Sequence, residues 1–387
     1  MQTTPFRIGL LALVSSAIAA WGLFQPATIQ ADEQDRAGFQ AEFFRLCDIA
    51  CKELNKELTP FTERTNVDPT THHVPFFEDS HAVRALAVGY DMTGKKEYLE
   101  ACQRWSDRMI AFQNRMVPKG AYYLNYFRKP GETRGDWFVS DASSVAMGVL
   151  ATAVRSPQKA DRDRYLRSVK SYAELVMRDR IGKDGGIIEV LWGGFRDSWW
   201  CSTGTFGSLA FLLYEETGEE RYLKVASGAL GWMIGRDFRE ATVITFQQRP
   251  SGVVFYDFQS YAAGVKYLPA GSKERKAAMG QISEALKWMA TNQVGRGGKP
   301  PWRYLDDGHT DMAALPFLMY AFAHQLPEHR DLTAAADREL RYVAGLLLDK
   351  GDPPVSQLKV WELASWGMMS YAEKLSPGSL LRSSRRP

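Results

Sequence analysis

The feature that most constrains this chain is an alternation between two kinds of helical segment. One kind is long and apolar on a single side. Leu99, Cys102, Met109 and Phe112 form such a stripe, as do Tyr165, Val169, Tyr172 and Val176. Leu223, Ala226, Leu230 and Met233 repeat it, followed by Met279, Ile282, Leu286 and Met289, then by Leu332, Leu340, Val343 and Leu347. Spacings of three, four and seven residues put these side chains on one face of an α-helix. Residues 39–54, entered through a polar leader at 32–36, begin the series. The other kind is shorter and built from Ala, Gly, Ser, Leu and Met, at roughly 80–90, 141–154, 205–214, 259–267, 311–324 and 362–372. A helix apolar on all sides must be buried on all sides.

Alternating the two kinds predicts six helical hairpins, with six outer and six inner helices. The expected fold is all-α: an (α/α)6 barrel, a toroid of six hairpins, formed as one domain over residues 32–376. Even the turn between the kinds recurs. Tyr90 followed by Thr93-Gly94 and then Tyr98-Leu99 matches Tyr214 followed by Thr217-Gly218 and then Tyr222-Leu223. Glycine just past a helix end supplies the left-handed cap. Strand-like alternation is confined to short pieces, 186–190 and 241–246.

Each outer helix carries the chain back across such a barrel, so every inner helix is entered from the same side. The loops 71–78, 122–140, 191–203, 247–258, 297–310 and 351–360 therefore gather on one face. Concave, loop-lined mouths of this kind are where ligands bind.

Composition narrows the partners. A formal net charge of +3 over 387 residues is too mild to argue for nucleic acid, and no Gly-rich phosphate loop is present. Arg7, the apolar run 8–20 and small residues at Ala17-Ile18-Ala19 or Ile29-Gln30-Ala31 read as a secretory signal over residues 1–31. That predicts a periplasmic or secreted protein with no membrane contact beyond the signal. A basic tail closes the chain at 377–387, with Arg382, Arg385 and Arg386. Cys47, Cys51, Cys102 and Cys201 lack metal-site spacing and read as small core filler, with a bridge from Cys102 to Cys47 or Cys51 left open.

Asp79 and Asp141 stand at equivalent places, each where a polar, aromatic loop becomes an inner helix. They read either as helix caps or as a pair of catalytic carboxyls facing one mouth. Aromatic residues on the loops suit the apolar faces of sugar rings, with Trp137, Trp199, Trp200 and Trp302 as candidates. His81 follows Asp79 by two residues and is a candidate proton carrier. Arg196 and Arg303, together with Arg249, could grip a carboxylate. The run from Asp306 to Asp311 is acidic but lacks the register of a calcium loop, so no metal is expected, and Asp311 reads as the cap of the fifth inner helix.

The whole arrangement, over roughly residues 71–375, resembles the six-hairpin glycosidases. Within them it is similar to the unsaturated glucuronyl and rhamnogalacturonyl hydrolases of glycoside hydrolase families 88 and 105. The residues that carry this are Asp79 at an inner helix start, Asp141 after Trp137, the Thr-Gly turns and Asp311-Met312-Ala313-Ala314. The resemblance implies that Asp141 is the acid that protonates the C4–C5 double bond of an unsaturated uronic acid, with Asp79 as its partner. It also implies an oligosaccharide or polysaccharide substrate and no cofactor. Two segments depart from the family pattern. Asp141 is followed by Ala142-Ser143-Ser144, and the third inner helix opens Trp200-Cys201-Ser202-Thr203-Gly204, where an Arg-Gly-Asn/Gln-x-Trp type of segment is expected. A lyase or epimerase on the same barrel, or a glycan-binding toroid without catalysis, are the alternative functions.

Overall fold

A computed structural model describes residues 27–58, 72–73, 77–122, 137–190, 196–238, 251–292, 314–322, 325–348 and 357–381. The chain forms two compact units, Met1–Glu42 and Phe43–Pro387. In the first unit the described residues are helical from Ala27 onward, as the start of α1 (Ala27–Leu54). Residues 32–36 thus lie within a helix rather than a leader, as the neighbouring Ala, Glu and Gln residues favour. Residues 1–26 of the expected signal over 1–31, and residues 382–387 of the expected tail over 377–387, lie outside the described residues.

Helices alternate through the second unit as the periodicity predicts. After α1 come α2 (Asp79–Thr93), α3 (Lys96–Gln113), α4 (Val139–Arg155), α5 (Lys159–Asp179) and α6 (Trp200–Thr217). They continue as α7 (Glu220–Ile234), α8 (Ser251–Gly264), α9 (Lys273–Asn292), α10 (Ala314–Phe322), α11 (Thr333–Leu348) and α12 (Gln357–Leu375). Even-numbered helices are the inner ones. Each packs on the next, and α12 packs back on α2, so the ring closes. The odd-numbered helices from α3 onward pack outside this ring. Residues that are all small or apolar make this inner wall possible. In α4 everything from Ala142 to Leu150 is buried, and in α6 everything from Trp200 to Leu213.

The repeated turn has one geometry in both copies. Gly94 and Gly218 take φ of 68° and 70°, and their N–H groups reach back to Tyr90 and Tyr214. Thr93 and Thr217 each donate a hydroxyl hydrogen bond of 2.7 Å to the carbonyl four residues earlier. Each hydroxyl also accepts from the amide two residues on, at 3.1 and 3.2 Å. Tyr98 and Tyr222 then enter the core as the next outer helix begins.

One strut crosses the ring. Arg84 of α2 is fully buried and donates from Nη1 to Gln259 Oε1 of α8, at 2.7 Å, joining the first and fourth inner helices. Burial lowers the Arg84 guanidinium to about 10, with Glu373 opposing that fall. All four cysteines are free thiols. Cys47, Cys102 and Cys201 are buried, and Cys102 donates to the carbonyl of Val83, so they act as core filler. Two small sheets complete the unit. β1 (Glu57–Leu58) runs parallel to β2 (His72–His73), and β3 (Ile188–Val190) pairs antiparallel with β4 (Arg196–Ser198). The second pair falls where alternation was read at 186–190. The other stretch, 241–246, lies outside the described residues. No helix among the described residues is long and apolar enough to cross a membrane.

Candidate active site

The candidate site is built around the first turn of α4. Phe138 occupies its N-cap position and supplies no side-chain bond. The orphan amides are instead met from β3. Glu189, fully buried, accepts from Val139 N at 2.8 Å on one carboxylate oxygen and from Ser140 N at 2.9 Å on the other. A helix N-terminus welcomes negative charge, so this is a strong external cap. Burial raises the Glu189 carboxyl, and the same amide bonds hold it back. From α5, Tyr172 donates its hydroxyl to Val139 O at 2.9 Å and shares a 2.9 Å bond with Ser143 Oγ. The consequence concerns Asp141. The capping work it could have done belongs to Glu189, and its half-buried side chain stands on a first turn fixed from two sides. Ser140 Oγ donates to its Oδ1 at 3.4 Å.

Asp79 is placed differently. It opens α2 and has no exposed surface. Its Oδ1 accepts from Trp361 Nε1 of α12 at 2.8 Å and bonds His73 Nε2 of β2 at 2.8 Å. His73 Nδ1 lies 2.9 Å from Glu53 Oε1. Burial alone would lower His73, but Asp79 and Glu53 outweigh it and raise the imidazole to about 9. At neutral pH the ring is therefore a cation donating to two carboxylates. The expectation that both aspartates open onto one mouth does not hold for Asp79, which α12 and β2 cover, while Asp141 keeps a half-buried side chain. Stability carries the signature of this array. His73 is raised above its ordinary 6.5, so the array stabilises fully below that pH and fades as pH rises through about 9. Thermal unfolding followed through that window is expected to show the fall, and His73→Phe to flatten it.

The other candidates divide by depth. Trp137 is buried, with its ring edge-on to Tyr172 at 6.1 Å and the Arg180 guanidinium over its face at 4.7 Å. Trp200 is buried edge-on to Trp232 at 5.5 Å. Both are core rings that anchor the first turns of α4 and α6, not rings presented to a ligand. Trp199 remains at the surface, half-buried, with its amide bonded to Ile187 O at 3.1 Å. Arg196 is exposed on β4, opposite Val190. His81 is sealed within a layer of Phe77, Tyr256 and Trp366, at centroid distances of 6.0, 6.0 and 5.5 Å. Burial, aided by Arg84, pushes it well below its ordinary value. It is thus a neutral core imidazole. Trp302, Arg303 and Asp311 lie outside the described residues, as does Arg249.

Three groups around the starts of α4 and α6 carry no clear signal in the sequence. Glu189 is the charged residue in the apolar run Ile187-Ile188-Glu189-Val190, and that oddity was its only signal. Arg180 is the C-cap residue of α5, a place where basic residues are favoured. Asp257 of α8 is fully buried, and neither carboxyl oxygen meets a hydrogen-bond partner among the described residues. Burial raises it well above the usual carboxylate range. The Cys201 thiol, raised first by burial, also feels Asp257, Asp141 and Glu189, which places all three carboxyls around the start of α6.

No family model matches the chain, and no curated protein matches it. Solved structures do. The Lin0763 protein from Listeria innocua is similar with a TM-score of 0.54 at 13% identity, over 86% of this chain and 96% of that one. A possible member of the GH105 family from Salmonella enterica serovar Paratyphi A is similar with a TM-score of 0.57 at 11% identity, over 88% and 94%. Likeness at this identity shows the fold. It agrees with the closed ring of helical hairpins.

Proposed function

We propose that this chain is an exported glycoside hydrolase-like enzyme that removes unsaturated glucuronyl or galacturonyl units from oligosaccharides, with Asp141 as its acid. The observation that carries this is the division of labour at α4. A buried glutamate caps the helix, and the half-buried Asp141 stands on the first turn that this cap holds in place. The sequence resemblance and the possible GH105 neighbour support the same class. Residues 1–31 would direct the protein to the periplasm or outside the cell.

The reaction suits one well-held carboxyl. Asp141 gives its proton to C4 of the C4–C5 double bond, and the positive charge that develops at C5 is taken up by water. The carboxylate left behind accepts the proton that the water sheds. The resulting hemiketal rearranges and releases the glycosidic partner. Asp79 does not touch the sugar in this scheme. It is a positioning residue, tying α2, β2 and α12 together beneath the mouth.

The test is the ultraviolet absorbance of the conjugated double bond in an unsaturated uronyl disaccharide. Hydration removes the conjugation, so absorbance falls as product forms. A rise in absorbance from an intact uronate polymer would identify a lyase instead. Binding without any change would leave a non-catalytic toroid.

A further inference from the structure

Arg180 is the mouth residue whose arrangement is least explained by stability. It sits at the C-terminal end of α5, with its backbone carbonyl fixed by Ile188 N at 2.7 Å. Its guanidinium carbon lies over the ring of Trp137 at 4.7 Å from the centroid, four residues before Asp141 in the chain. Such stacking holds the fork rigid while leaving its edge N–H groups unused. The Nε is buried without a hydrogen-bond partner, and no described carboxylate forms an ion pair with Arg180 or with Arg196.

The surrounding charges favour an anion. Burial lowers the Arg180 guanidinium, Arg196 pushes in the same direction, and only Glu189 and more weakly Tyr172 and Asp179 oppose them. Glu189 spends its oxygens on the amides of Val139, Ser140 and Val190. Two guanidiniums within each other's field, both without an ion pair among the described residues, make a ready site for a carboxylate. A planar carboxylate matches the guanidinium fork in shape as well as charge.

We propose that Arg180, assisted by Arg196 of β4, takes the carboxylate of the uronic acid unit and sets the preference for uronides over neutral sugars. This rests on the uronide reading of the same mouth and adds to it the residue that recognises the acid group. A carboxylate held there lies beside the first turn of α4, on which Asp141 stands.

The experiment uses the full chain carrying Asp141→Asn, so that ligand is bound but not consumed. Calorimetric titration compares an unsaturated glucuronyl disaccharide with its methyl ester, which keeps the ring and loses the charge. The acid is expected to bind more tightly than the ester. Adding Arg180→Met should weaken the acid about tenfold to a hundredfold, the range for a lost charge-assisted bond. The ester should change little, and Arg180→Lys should recover part of the loss. Equal weakening of acid and ester would make Arg180 only a cover for Trp137, and unchanged affinities would remove it from the site. Either result leaves the uronide reading standing if the parent protein still prefers the acid. Failure of the parent to bind either disaccharide would overturn both.

Discussion

Asp141→Asn is expected to cut turnover of an unsaturated uronyl disaccharide by about a hundredfold to ten-thousandfold, the usual worth of a general acid. The substitution keeps shape and removes only the transferable proton. KM is expected to move little, because nothing that holds the sugar in the ground state is lost. The fold is expected to persist, since Glu189 and Tyr172 secure the first turn of α4. Steady-state kinetics beside a thermal melt check both halves. Undiminished turnover in a folded variant would end the assignment of Asp141 as the acid.

The largest effect on stability is expected at Asp257. Its carboxyl is wrapped by α8 and α6, which approach so closely that a Cβ at Gly204 would stand 2.5 Å from the Asp257 Cα. An ionised carboxylate without partners in such a place is very costly, so the group stays protonated. The folded carboxyl is raised well above the unfolded 3.8, and the folded chain therefore binds the extra proton between those two values. Stability must then fall as pH rises through that interval, at a limiting slope of about 1.4 kcal/mol per pH unit. Asp257→Asn imitates the protonated form and lacks this slope. The variant is expected to be more stable than the parent at neutral pH, with the gap closing as pH approaches about 4. Denaturant melts of both proteins across acid pH read the gap directly, and parallel curves would show that Asp257 is ionised after all.

Much of this architecture could be read from local pattern. Periodicity of three and four residues marked the outer helices, and the small, apolar inner segments betrayed burial on every side. The Thr-Gly turns foretold two matching caps, which the chain forms with nearly the same angles and bonds. Depth was the quantity that pattern could not supply. Asp79 and Asp141 look alike in sequence, yet Asp79 is covered by Trp361, 282 residues away, and by a histidine from a two-residue strand. Trp137 and Trp200 sit in loop-to-helix junctions like Trp199, but Tyr172 and Trp232 on outer helices draw them inward. Contacts of such long range leave no trace in spacing. Glu189 was legible only as a charge out of place in an apolar strand, and its role as a cap depends on a helix that begins fifty residues earlier.

The hydrogen bond from Trp361 to Asp79 also bears on how the molecule is made. It sits at the seam where the final inner rod meets the first, so the circle cannot be sealed until almost the entire polypeptide has emerged. Assembly hairpin by hairpin would leave an open crescent with two raw apolar edges, and closing it demands an encounter between the chain's distant ends. Loop closure over such a separation is entropically expensive and slows folding. A chain cut short before α12 is therefore expected to fail as a whole instead of surviving as a five-hairpin fragment.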